Sequence, residues 1–280
     1  MELEKEFEAR VESDGLLGVS CSGSDTAWMR AVTPTLFLIR QTGEVVESVN
    51  TQTGTRPNDI FVTEDDEVLF TDPQNKCITR ITKDREVRPW TKTGEFTPLS
   101  LYCTRDGFVI VSLLLETRSS ESSVDDTNAK VVKFDSKGEP VLEIKNDING
   151  KSLYKCPEYL SVNTNNASDL CVSDWGSKSV VVVNQSGEHR FTFEGPPKSS
   201  RRYPEFFPRD LVCDSEGRIL IVDSGNECIH MLNSNGEFLS YLLTDDDGIE
   251  DPFTLSIDTT GRLWVGERHS KKVKIFKHSS

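Results

Sequence analysis

What this sequence has little of narrows its work before any motif is read. Basic residues are outnumbered: Lys and Arg total 32 against 46 Asp and Glu, a formal net charge of −14. Phosphate affinity needs a cationic surface, so nucleic acid is disfavoured as a partner. No apolar run approaches the ~20 residues of a membrane span. The start, Met1-Glu2-Leu3-Glu4-Lys5-Glu6, is acidic and lacks the apolar stretch of a signal peptide. No membrane role is expected. Histidine is scarce. His189, His230, His269 and His278 fall by a turn, in a strand, in another kind of turn and at the tail. They are not expected to converge on zinc. The seven cysteines, Cys21, Cys77, Cys103, Cys156, Cys171, Cys213 and Cys228, form no C-x-x-C pair. Most lie in apolar runs, where a thiol acts as a small apolar group. That favours a reducing, cytoplasmic compartment with neither disulfides nor structural zinc. A G-x-S-x-G nucleophile elbow is also missing.

What is present is a repeat. Residues 208–238 read as Pro, an apolar strand, Asp-x-x-Gly, a second strand, Asp-x-x-Asn, a third strand and x-Gly-x. The apolar run Ile219–Val222 is flanked by Asp214-Ser215-Glu216-Gly217 and Asp223-Ser224-Gly225-Asn226, and Asn235-Gly236 is a strong hairpin signal. Copies begin at Pro57, Pro98, Pro157 and Pro252, and a degenerate one near Leu17. The hairpin glycines Gly138, Gly187 and Gly236 are evenly spaced. A period of roughly 40–50 residues with four strands per unit is the signature of propeller blades. The expected fold is all-β: one six-bladed β-propeller, with blades at about 15–50, 56–93, 97–146, 156–194, 207–243 and 251–280. The last unit lacks an outer strand. Residues 1–14 are expected to supply it through an alternating strand at 6–11, where Phe7, Ala9 and Val11 share one side. The one sizeable insertion, 117–128, is Ser- and Asp-rich and is expected to be a disordered hairpin tip. The stretch 195–203 is expected to be a surface connection.

The units resemble the NHL repeat, and the chain resembles the six-bladed NHL propeller of TRIM-NHL proteins. Val222-Asp223-Ser224-Gly225-Asn226 followed by Ile229 matches best, then Asp72-Pro73-Gln74-Asn75 with Ile78. Asp174-Trp175-Gly176-Ser177 departs at Ser177, and Gly266-Glu267-Arg268-His269 departs further. The resemblance implies a non-catalytic recognition platform. It would bind a protein or peptide on the face of the Asp-x-x-Asn turns, like the substrate-recognition module of a ubiquitin ligase. On that face the pattern places Arg56, Asn58, Lys76, Arg118, Tyr159, Trp175, Lys178, Phe207, Arg209, Asn226, Phe253 and Arg268. The alternatives are a single-stranded RNA-binding propeller and, after it, a metal-dependent lactonase- or esterase-like one. The chain is expected to be no enzyme, to use no cofactor or metal, and to be monomeric. The Asp of each Asp-x-x-Asn turn is expected to hold its turn by bonding backbone N–H groups.

Overall fold

The computed structural model describes residues 1–11, 13–115, 128–165, 168–196 and 205–278. The first strand, β1 (Glu2–Glu8), belongs to the end of the ring. Blade one is β2 (Leu16–Ser22), β3 (Thr26–Ala31), β4 (Thr35–Arg40) and β5 (Val45–Asn50). Blade two is β6 (Ile60–Val62), β7 (Val68–Asp72), β8 (Cys77–Ile81) and β9 (Val87–Lys92). Blade three is β10 (Thr97–Cys103), β11 (Val109–Leu114), β12 (Ala129–Phe134) and β13 (Pro140–Ile144). Blade four is β14 (Pro157–Asn163), β15 (Asp169–Asp174), β16 (Ser179–Val183) and β17 (His189–Phe193). Blade five is β18 (Pro208–Cys213), β19 (Ile219–Asp223), β20 (Cys228–Leu232) and β21 (Phe238–Leu243). Blade six is β22 (Pro252–Ile257), β23 (Leu263–Glu267) and β24 (Lys272–Lys277), with β1 as its outer strand. Every sheet is antiparallel, blades one to five are meanders of consecutive strands, and the innermost strands β2, β6, β10, β14, β18 and β22 touch in sequence and back to β2. The all-β, six-bladed reading is therefore what the chain adopts.

Closure follows from chemistry at both ends. Glu6 reaches Lys272 at 2.9 Å and Lys274 at 3.5 Å. Phe7 packs edge-on to Trp264, with ring centroids 6.0 Å apart. Phe7, Ala9 and Val11 are all buried in one cluster with Trp264, Val273 and Ile275 of blade six and Val19, Ala27 and Met29 of blade one. The strand differs from the expected 6–11. It runs over Glu2–Glu8, pairing with Lys272–Lys277 across a register shift between Leu3 and Lys5, and Leu3 is exposed.

The acids of the Asp-x-x-Asn turns are buried and occupied. Asp174 accepts the N–H of Lys155 at 2.6 Å, Cys156 at 2.8 Å and Ser177 at 3.2 Å. Asp72 accepts both the N–H and the side-chain amide of Asn75. Glu267 accepts the N–H of Glu250 at 2.9 Å. Asp174 and Glu267 tie their hairpins to the chain entering the same blade, and Asp72 holds its own turn, the backbone-holding role that short acidic side chains perform in tight turns. Most of insertion 117–128 and of connection 195–203 lies outside the described residues.

Candidate functional site

The inner strands share one irregularity. The ladder shifts register within the first residues of β2, β10, β14, β18 and β22. A bulge re-aims the residues that follow it. Here it brings Leu17, Tyr159 and Phe253 together in one buried cluster. They come from blades one, four and six, so they meet across the axis and cap one end of the channel. Tyr159 meets Phe253 edge-to-face at 6.4 Å. The Arg209 guanidinium lies 5.5 Å from the rings of both Trp175 and Phe253, and Arg268 lies 5.1 Å from Phe253. Arg209 also pairs with Glu158. Trp175 is 44% exposed, so this cap presents one aromatic face to solvent.

Next along the same strands is a polar layer. Its six positions are Gly18, Asp59, Ser100, Tyr159, Asp210 and Thr254, one per blade. A Cβ on Gly18 would meet Arg30 Nε at 2.6 Å. Only glycine leaves room there for the buried Arg30 side chain. Arg30 donates to the Tyr159 hydroxyl at 3.2 Å and to the Pro57 carbonyl at 3.5 Å. Asp59 accepts from the Ser100 hydroxyl at 2.5 Å and from Leu101 N at 3.1 Å. Asp210 accepts from the Thr254 hydroxyl at 2.8 Å and from Leu255 N at 2.9 Å. Ser100 and Thr254 accept in turn from Leu160 N and Val19 N. Two matching relays thus run Asp–hydroxyl–N–H across blades two to four and five to one.

The layer is electrostatically unusual. Burial pushes both carboxyls up. Arg30 draws Asp59 partly back, whereas the negative charge of Asp59 adds to the rise at Asp210, which reaches about 7. Burial also raises the Tyr159 phenol, with Arg30 opposing, so it stays protonated. A carboxyl whose affinity for protons sits near neutrality, beside a fixed hydroxyl donor, is the acid–base arrangement that active sites use.

Two residues further along, on the same strand faces, the channel opens into a cavity of about 670 Å³ at its other end. All six inner strands line it, among them through Ser20, Phe61, Tyr102, Ser161, Val212 and Ser256. That size suits a small molecule. Burial pushes the thiols of Cys21 and Cys103 up to about 12, so they are protonated and poor nucleophiles.

The residues named from the sequence separate into groups. Tyr159, Trp175, Arg209, Phe253 and Arg268 converge at the cap. Lys178 stands over the Phe207 ring at 4.7 Å and pairs with Glu205 at 2.7 Å, away from the axis. Asn226 is buried, bonding Glu205 O and the Asp223 carboxylate. Asn58 donates to Pro98 O at 3.2 Å, Lys76 to Glu95 O, and Arg56 is exposed. Arg118 lies outside the described residues. Sequence reading missed Arg30, Asp59 and Asp210. One signal was available: Pro57-Asn58-Asp59-Ile60 and Pro208-Arg209-Asp210-Leu211 put an acid where the other four repeats have none.

No family model matches the chain, and no curated protein does. Solved structures do. A gluconolactonase from Xanthomonas campestris is similar with a TM-score of 0.71 at 15% identity, over 96% of this chain and 88% of that one. Virginiamycin B lyase from Staphylococcus aureus gives 0.64 at 15% identity, over 94% and 81%. A catalytically inactive form of that lyase with quinupristin gives 0.68 at 14% identity, over 98% and 99%. At these identities the likeness carries the propeller fold, and none of these three is an NHL or TRIM protein. The expectation of a non-catalytic chain is corrected by this finding: the solved propellers it is similar to include a lactonase and a lyase, so this architecture is one that houses catalysis.

Proposed function

We propose that the chain is an enzyme that opens small cyclic esters hydrolytically, at the polar layer where the channel cavity ends. The observation that carries the reading is the geometry of the polar layer, where Asp59 and Asp210 head matching relays and Arg30 holds the Tyr159 hydroxyl; Asp210, close enough to act on Tyr159, is raised to about 7. A gluconolactonase among the similar propellers supports the substrate class. Asp210 Oδ1 accepts from Leu211 N at 2.8 Å and keeps a second lone pair for a proton. As a base, ionised Asp210 takes a proton from water while the water oxygen attacks the ester carbonyl carbon. The Tyr159 hydroxyl, held by Arg30, donates to the oxygen on which negative charge grows. Collapse breaks the ring C–O bond, and the proton on Asp210 passes to the leaving alkoxide, giving a hydroxy acid.

A divalent-metal version of this chemistry does not fit the layer. Its cation is the Arg30 guanidinium. The carboxylates spend oxygens on Ser100, Thr254 and backbone N–H groups rather than gathering them at one point.

The test is ring opening of five- and six-membered lactones, followed by acid release in weak buffer. Turnover is expected, with kcat/KM lowered about 10²–10⁴-fold by Asp210→Asn and kcat falling as pH drops below about 7. No turnover across the panel, or turnover indifferent to Asp210→Asn, refutes the reading. Cleavage of a cyclic depsipeptide by elimination, with the lactones untouched, would replace hydrolysis with lyase chemistry.

A further inference from the structure

The sequence pattern scatters the four histidines and argues against structural zinc. The structure sets one of them, His230, beside two other donors. Asp223 ends β19, Cys228 starts β20 directly opposite it in the ladder, and His230 follows two residues on, on the same face. His230 Nε2 lies 3.1 Å from Asp223 Oδ2. One donor atom from each of Asp223, Cys228 and His230 lies within 4.8 Å of the other two, and all three residues are buried.

We propose that this hairpin of blade five binds a single zinc ion through the Asp223 carboxylate, the Cys228 thiolate and the His230 imidazole, with a water as fourth donor. Carboxylate, thiolate and imidazole are the zinc donor set. Metal–ligand distances of 2.0–2.3 Å put tetrahedral donors about 3.5 Å apart, so side-chain shifts of about 1 Å close the site. Two buried atoms here have no hydrogen-bond partner among the described residues: Asn226 Oδ1 and His230 Nδ1. Both residues line a cavity of about 10 Å³ with Asp223, Glu205 and Tyr241. That is about the room one water needs, and the polar atoms are those a bound water seeks. Rings of Phe193, Phe206, Phe238 and Tyr241 stand 5.1–6.2 Å from the imidazole and exclude bulk solvent.

Neighbouring blades sharpen the argument. In blade six the matching positions hold Glu267 and Lys274, whose ammonium lies 2.6 Å from the carboxylate. A cation therefore already fits this slot of the fold. In blade two the same positions hold Asp72, Cys77 and Thr79, with the acid and thiol kept but the imidazole missing. Only blade five, among these, carries all three donors.

The full chain, stripped with a chelator, is titrated with Co²⁺ and then Zn²⁺. One equivalent of Co²⁺ should give a thiolate-to-cobalt band in the near ultraviolet with tetrahedral visible bands, and Zn²⁺ should abolish both. Cys228→Ser should remove the band, His230→Gln should weaken metal binding at least about 10-fold, and Cys77→Ser should change neither. Absence of the band in the unaltered protein overturns the proposal, as does a band that survives Cys228→Ser. If Cys228→Ser does not fold, X-ray absorption of the unaltered zinc-loaded protein decides: one sulfur among nitrogen and oxygen neighbours supports the site, and any other shell overturns it. The channel layer takes no part, so lactone turnover and zinc binding stand or fall separately.

Discussion

Replacing Phe7 with alanine is the sharpest probe of how the ring is held shut. The side chain is 8% exposed, sits edge-on to Trp264, and joins a cluster shared by the first and last blades. Truncating a buried phenylalanine costs about 3–5 kcal/mol, from lost burial and from the void left behind. Whole domains are stable by only about 5–15 kcal/mol. At about 2 °C per kcal/mol for a chain of this size, the thermal midpoint should fall by about 6–10 °C. Leu3 is the internal control. It lies on the same strand but is 45% exposed, and Leu3→Ala should move the midpoint by no more than about 1 °C. Both are read by circular dichroism during heating. A drop below about 2 °C for Phe7→Ala, or equal drops for both variants, would show that β1 rests against the ring without fastening it.

Gly18→Ala should destabilise by about 1–3 kcal/mol, because the new methyl falls 2.6 Å from Arg30 Nε. It should also displace Arg30 from Tyr159; unchanged urea midpoints and unchanged turnover would contradict this. Asp210 holds its proton in the folded state up to about pH 7 but loses it near 4 when unfolded. Folding therefore binds extra proton between those values, and stability falls as pH rises through that window. Asp210→Asn removes this loss, so its midpoint relative to the unaltered protein should rise from pH 5 to pH 8. A constant difference would mean that Asp210 is not strained by its surroundings.

The repeats were readable because their markers perform local work. Asp174 and Asp72 serve backbone N–H groups within their own blade, so the demand shows as a short motif at fixed spacing. The same fact explains why the NHL resemblance gave the architecture and carried nothing about activity: a turn-holding acid serves any propeller with this hairpin, whatever the channel does. The closing strand was visible as alternation in Phe7, Ala9 and Val11, but its extent was not, since the shift between Leu3 and Lys5 depends on β24. The polar layer was the least legible. Arg30 belongs to a second strand and reaches the axis only because Gly18 is bare. Asp59 acts on Asp210 from a blade that is far away in the chain. The blade-five donors lay within eight residues of one another, yet a histidine in an apolar strand gives no hint that a hairpin folds it back onto Asp223.

β1 is synthesised long before β24, the strand it pairs with. Translation at roughly 5–20 residues per second leaves Glu2–Glu8 waiting tens of seconds for Lys272–Lys277 to emerge. Throughout that wait it is a bare edge, open to pairing with any other nascent chain. Glu2, Glu4, Lys5, Glu6 and Glu8 crowd it with charge. Like-charged neighbours repel copies of the same segment, while the lysines of the awaited strand attract it. The acidity of the opening residues thus doubles as a safeguard against premature association and as an address for the one correct partner.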